Sequence, residues 1–141
     1  MSSIKAKPER ACAYGVMCGV SNALDGERAR RPLIVVLDED EALREALRFS
    51  LETEGYRVSV FGAAQALLAC WSRLDAACFV LDEPACDARL RDLVLRRRPP
   101  VVLMSGGQTR RQPAWAKVRV VEKPLMTDAL SQQIAAALAV D

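Results

Sequence analysis

Four stretches of this chain put chemically active side chains directly after apolar runs. Asp38-Glu39 follows Leu33-Ile34-Val35-Val36-Leu37, and Asp82 follows Ala77-Cys78-Phe79-Val80-Leu81. Ser105-Gly106 follows Val101-Val102-Leu103-Met104, and Lys123-Pro124 stands just past Val118 to Val121. Carboxylates gathered in one place repel one another unless a cation sits among them, and their hard oxygens suit Mg2+. A central aspartate next to Mg2+ and an ammonium is equipped to attack a phosphoryl group, because both cations neutralise charge on the transferring oxygens. Other chemistry is excluded. The 141 residues include no His, so neither a Ser-His-Asp or Cys-His nucleophile nor a His-ligated metal site can be built from this chain alone.

The elements that must carry these side chains follow from the hydrophobic pattern. An unbroken five-residue apolar run such as 33–37 belongs to a strand covered on both faces, as in a parallel sheet. Asp38 and Asp40 are both N-cap candidates for the helix that follows, with Glu41 in its first turn where the helix dipole favours an acid. Leu43, Ala46, Leu47, Ser50 and Leu51 then recur at helical spacing, and Gly55 suits the position just past the helix end. The alternation continues with a second strand over 57–61, a second helix over 63–71, a third strand over 77–81 and a third helix over 87–97. A fourth strand is expected over 101–104, a fifth over 118–121 and a last helix over about 127–140. Strands alternating with helices imply an α/β fold: a doubly wound, five-stranded parallel sheet with helices on both faces. In such a sheet ligands bind outside the carboxyl ends of the strands, which is where the four polar stretches fall.

Composition agrees with one soluble globular domain: 51% hydrophobic and 27% charged residues, with a formal net charge of +2. Residues 1–32 show no sustained period and read as a flexible N-terminal extension, leaving 33–141 as the domain. Glu9 and Arg10 interrupt the mildly apolar start, so no signal peptide is expected, and with no stretch of roughly 20 apolar residues no membrane partner is expected either. The five Cys at 12, 18, 70, 78 and 86 form no Cys-x-x-Cys pair, which fits a reduced, cytoplasmic protein. Charge is segregated along the chain. Residues 33–60 hold seven acids against three bases, and residues 89–123 hold ten bases against two acids. The runs Arg96-Arg97-Arg98 and Arg110-Arg111 read as a solvated helix end and loop, and the scarcity of aromatics argues against a base-stacking surface.

Taken in order, Asp38-Glu39, Val80-Leu81-Asp82, Met104-Ser105-Gly106 and Glu122-Lys123-Pro124 make residues 33–140 resemble the receiver domain of two-component response regulators. The resemblance implies a flavodoxin-like sheet of order 2-1-3-4-5. It implies that Asp38 and Glu39 hold Mg2+, that Asp82 is phosphoacceptor and metal ligand, and that the carbonyl of Pro84 is a further metal ligand. Ser105 and Lys123 would bind phosphoryl oxygens, Gly106 would leave the group room to enter, and Lys123-Pro124 would be a cis peptide. The donor would be a histidine kinase or phosphotransfer protein, which supplies the imidazole this chain lacks. No DNA-binding domain is expected after the last helix, so output would pass through an unnamed protein target or a homodimer formed near strands four and five.

The sequence departs from that family in three places. Asp82-Glu83-Pro84 replaces the usual Asp-x-x-Met-Pro with a turn Gly, shortening the loop after the acceptor. Val120 stands at the switch position where an aromatic is usual. The segment from 105 to 123 is short, so the helix joining strands four and five is expected to be reduced or absent. These departures keep open a degenerate receiver acting as a phosphorylation-independent interaction module. A third reading, an aspartate-nucleophile phosphotransferase, rests on Asp38-Glu39-Asp40 resembling the Asp-x-Asp motif of haloacid-dehalogenase-like enzymes. Ala42-Leu43 and Leu125-Met126 do not supply the rest of that pattern.

Overall fold

The computed structural model describes residues 31–106, 115, 118–123 and 128–139. The expected flexible extension, the reduced helix before the fifth strand and the Lys123-Pro124 peptide lie outside these residues. The elements are β1 (Leu33–Leu37), α1 (Glu41–Thr53), β2 (Arg57–Phe61), α2 (Ala64–Cys70), β3 (Cys78–Asp82), α3 (Ala88–Arg97), β4 (Val101–Ser105), β5 (Arg119–Glu122) and α4 (Ala129–Ala139). Single turns of 3-10 helix cover Trp71–Arg73 and Glu83–Ala85. All five strands are parallel, in the order β2-β1-β3-β4-β5, as the sequence pattern requires.

The continuous apolar runs are explained by what each face of the sheet meets. Along β1, Leu33, Val35 and Leu37 join Phe79, Leu81, Leu103 and Trp115 in a core closed by Leu67 of α2 and by Leu90 and Val94 of α3. The intervening Ile34 and Val36 join Val80, Met104 and Val121 in a second core, against Leu47 and Leu51 of α1 and Leu130 and Ile134 of α4. Side chains alternate along a strand, so a central strand buried on both sides must be apolar at every position. The edge strand β2 is half-buried throughout and β5 buries only Val121, which is why their sequences admit Arg57, Ser59 and Arg119.

The helix boundaries show capping chemistry. Of the two N-cap candidates, Asp40 is the cap of α1. Its Oδ1 accepts from the backbone N–H groups of Ala42 and Leu43, at 3.0 and 3.3 Å. Asp38 does not cap, and its carboxylate is turned elsewhere, as described below. At the other end Gly55 takes φ +103°, the N–H of Gly55 donates to the Glu52 carbonyl and that of Tyr56 to the Leu51 carbonyl. This pair of bonds is a Schellman closure, whose left-handed residue glycine adopts without a Cβ penalty. Asp87 caps α3 by accepting from Leu90 N–H at 2.9 Å, and the helix ends at Arg98 in the left-handed region, ahead of Pro99.

Three strands sit one residue later or run one residue longer than the hydrophobic runs indicated. β3 extends through Asp82, β4 through Ser105 and β5 through Glu122. Backbone pairing, unlike apolarity, continues into the polar residues at the sheet's edge.

Candidate functional site

Strand register decides which polar side chains meet. Leu37 pairs with Leu81, Leu81 with Leu103 and Leu103 with Val120, so Asp38 and Asp82 stand on one rung, level with Met104 and Val121. Residues of equal rung in neighbouring parallel strands face the same side. Ser105 lies one rung further, opposite Glu122, and Lys123 one rung beyond that. Asp38, Asp82 and Lys123 therefore share the parity of the α1 and α4 face, while Ser105 has the opposite parity. The Lys123 N–H donates to the Ser105 carbonyl at 2.8 Å, which ties the end of β5 to the end of β4.

From there the Lys123 side chain crosses the sheet edge. Its Nζ donates to Asp38 Oδ2 at 2.8 Å and lies 2.9 Å from Asp82 Oδ1. The two carboxylates are nearly inaccessible, with side-chain exposures of 2% and 8%, whereas the lysine retains 25%. The other oxygen of Asp38 accepts the N–H of Asp40 at 2.8 Å, and the Asp38 N–H donates to the Phe61 carbonyl at 3.1 Å. Asp38 is thus held by both neighbouring backbone and side-chain partners.

The electrostatics reflect an excess of buried negative charge. Burial pushes the Asp82 carboxyl above the usual range. The Lys123 ammonium pulls it back through its hydrogen bond and charge, and the charges of Asp38 and Glu39 raise it further. Burial alone would lower Lys123, but its hydrogen bonds to Asp38 and Asp82 outweigh that, so it stays protonated above its ordinary value.

Other expected site residues are less closely drawn in. Glu39 is exposed and reaches Asp82 through its charge. Pro84 is exposed in the middle of the 3-10 turn that replaces the longer loop. Ser105 is buried at 4% exposure on the strand beside Asp82. Val120 is a half-buried aliphatic packed on the α2 and α3 core, so no aromatic switch exists at that position.

Among the described residues, no three or more His, Cys, Asp or Glu side chains are gathered so as to hold a metal by themselves. The donors at hand are carboxylate oxygens. Such a set does not fit a metal that needs an all-protein cage. It does fit Mg2+, which takes one or two carboxylates and completes its shell with water and phosphate oxygens.

Three features were not singled out from the sequence. Glu83, next to Asp82, is buried at 7% exposure in a turn that packs against β4. Cys86 lies just beyond, its thiol pushed up to about 12, first by burial and then by the charges of Asp82, Asp87 and Glu83. Arg44 Nη1 donates to the carbonyls of Asp38 and Glu39, at 2.9 and 3.2 Å. Glu83 carried a signal only as the acid directly after Asp82 in the shortened loop. Cys86 and Arg44 had none.

No family model matches the sequence. Over 114 residues, 74% of the chain, it is 32% identical to the transcriptional regulatory protein FixJ of Bradyrhizobium diazoefficiens, and it spans 56% of that protein's length. The structure of full-length FixJ from B. japonicum matches with a TM-score of 0.64 at 29% identity, covering 77% of this chain and 58% of that one. A response regulator receiver domain protein from Clostridium thermocellum matches with a TM-score of 0.66 at 18% identity, over 77% of this chain and 94% of that one. Response regulator protein TrrA from Thermotoga maritima, in complex with Mg2+-BeF, matches with a TM-score of 0.66 at 17% identity, over 76% and 99%. The described residues thus carry the receiver-domain fold of two-component response regulators, as the four motifs in the sequence implied.

Proposed function

We propose that residues 33–141 form a receiver that accepts a phosphoryl group on Asp82 from a histidine kinase or phosphotransfer protein and signals by protein–protein contact in the cytoplasm. The observation that carries this reading is the Lys123 ammonium shared by Asp38 and Asp82 at 2.8 and 2.9 Å. A buried aspartate with a second carboxylate and a fixed cation beside it is a nucleophile placed where phosphoryl charge can be neutralised. An Asp82 carboxylate oxygen attacks phosphorus, the P–N bond to the donor imidazole breaks, and that imidazole leaves with the electron pair and takes up a proton. Lys123 pairs with a phosphoryl oxygen, and Ser105 donates its hydroxyl to another. Asp38, Glu39, Asp82 and the Pro84 carbonyl are the groups that would hold Mg2+. The bound ion supplies charge neutralisation on the phosphoryl oxygens. No helix among the described residues is long and apolar enough to cross a membrane.

The 3-10 turn with its buried Glu83, together with Val120, favours a second reading, an interaction module independent of phosphorylation. Incubation with acetyl phosphate and Mg2+, followed by mass mapping of the modified residue, separates them. A phosphoryl group on Asp82 is expected. Modification at Asp38 refutes the assignment of Asp82 as acceptor and points to the haloacid-dehalogenase-like alternative, and an unmodified chain under saturating donor favours the module reading.

A further inference from the structure

The backbone of the acidic pair is held from behind by a residue on the first turns of α1. Arg44 Nη1 lies 2.9 Å from the Asp38 carbonyl and 3.2 Å from the Glu39 carbonyl, so one nitrogen spans the two peptide groups that orient both acids. The guanidinium rests over Gly62, just past β2. A Cβ built there would come within 2.8 Å of Nη1 and 3.3 Å of Cζ. Gly62 is therefore needed for space and not for its backbone angles. Phe61, its neighbour, accepts the Asp38 N–H at 3.1 Å, so the same corner of the sheet fixes Asp38 through two independent bonds. Charged donors to carbonyls are stronger than neutral ones, and this guanidinium is half-buried.

We propose that Arg44 is a positioning residue for the Asp38-Glu39 pair, and that Gly62 is glycine because the Arg44 guanidinium occupies the space beside it. For its metal readout the inference rests on the function proposed above. Its structural readout does not. The clash at Gly62 falls on the far end of a flexible side chain, so Gly62→Ala folds, displaces Arg44, and reproduces Arg44→Met at the pocket without touching any acid.

The test uses the full chain in wild-type, Arg44→Met, Gly62→Ala and doubly substituted forms. Mg2+ affinity is measured by calorimetry and amide hydrogen exchange by NMR. Removing an outer group that orients ligands weakens metal binding by about 10-fold or more. Each single variant is expected to show that loss, with faster exchange at the Asp38 and Asp40 amides and unchanged protection in the centres of β1 and β3. The double variant is expected to be no weaker than Arg44→Met, because both substitutions remove one interaction. Additive losses in the double variant, or a Gly62→Ala protein that binds as wild type does, overturn the pairing of Gly62 with Arg44. If the wild-type chain binds no Mg2+, the metal part of the proposed function fails, and exchange alone decides. Unchanged exchange at Asp38 and Asp40 in both single variants then overturns the positioning role.

Discussion

Lys123→Met tests whether the ammonium neutralises two buried acids or decorates the edge of the sheet. Methionine keeps the length and the apolar stem and removes only the charge and its donors. At 2.8 and 2.9 Å, each ion contact is worth about 6 kcal/mol at an effective dielectric constant of about 20, before desolvation is subtracted. Removing one member of a buried pair costs about 3–5 kcal/mol, because the remaining charge is stranded. The 25% exposure of Lys123 lets water screen part of that, which places the expected loss at about 2–3 kcal/mol at pH 7. The sign with pH follows from Asp82. Its folded-state carboxyl already titrates above the usual range through burial, and loss of the ammonium raises it further. A raised folded-state value favours the folded protein only where the group is protonated. The deficit of the variant is therefore smallest in acid, where Asp82 is protonated, and grows as pH rises through the raised folded-state range of Asp82. Urea unfolding in EDTA, at several pH values, reads the difference directly. Asp38→Asn in the Lys123→Met background should recover much of the loss by removing the like-charge repulsion. A variant within about 0.5 kcal/mol of wild type at pH 7, with no dependence on pH, would refute the buried-triad account; so small an effect is typical of exposed ion pairs.

Three further outcomes follow from the packing and capping. Asp40→Ala removes the side-chain acceptor for the Ala42 and Leu43 amides and should cost about 1 kcal/mol in thermal or chemical unfolding, with Asp40→Asn close to neutral. Leu103→Ala, at a position with no solvent exposure in the core beneath α2 and α3, should cost about 2–5 kcal/mol, read from the urea midpoint at constant m. Burial pushes the Cys78 thiol up to about 12, so it should resist Ellman's reagent at pH 8 until the protein unfolds. Because that folded-state value is raised, its contribution is intact below about pH 9 and is lost between about 9 and 12, and Cys78→Ala should flatten the alkaline stability slope by up to about 1.4 kcal/mol per pH unit.

What the sequence disclosed and what it withheld divide along a physical line. The central strands of the parallel sheet were legible because strands covered on both faces must be apolar at every position, as Leu33 to Leu37 and Val101 to Met104 are, and the edge strands by their alternation with helices. The convergence of Asp38, Asp82 and Lys123 was legible for a related reason. In a parallel sheet the apolar runs stop at a common level, so the first polar residues after them gather at one edge. Side-chain competition at close spacing was not legible. Asp38 and Asp40 are equally good caps by type, and only the structure shows Asp40 bonding to the helix while Asp38 turns to Lys123 and to the Asp40 amide. Nor could local pattern reveal the space beside Gly62, because Arg44 lies a full helix and strand away in the chain and no periodicity links them.

Asp38, Asp82 and Lys123 are tied to the fold differently from the segments around them. Asp38, Asp82 and Lys123 form a closed electrostatic set. Burial disfavours the charged form of Asp82, the ammonium offsets it, and that ammonium is itself held above its ordinary value by its bonds to both acids. Loss of the lysine strands both carboxylates, whereas loss of either carboxylate leaves the other paired with the ammonium, so fold stability opposes substitution of Lys123 above all. Val120 and the Glu83-Pro84 turn are under no such constraint. Val120 packs against the α2 and α3 core, and the turn closes on itself through the Cys86 N–H bond to the Glu83 carbonyl at 3.1 Å. The triad is thus bound to the fold through charge, whereas Val120 is bound by packing and the turn by packing and its own hydrogen bond. Because the lysine serves both the fold and the proposed chemistry, phosphoryl transfer is read at Asp82 itself, by mapping the modified residue, and not from the stability of Lys123 variants.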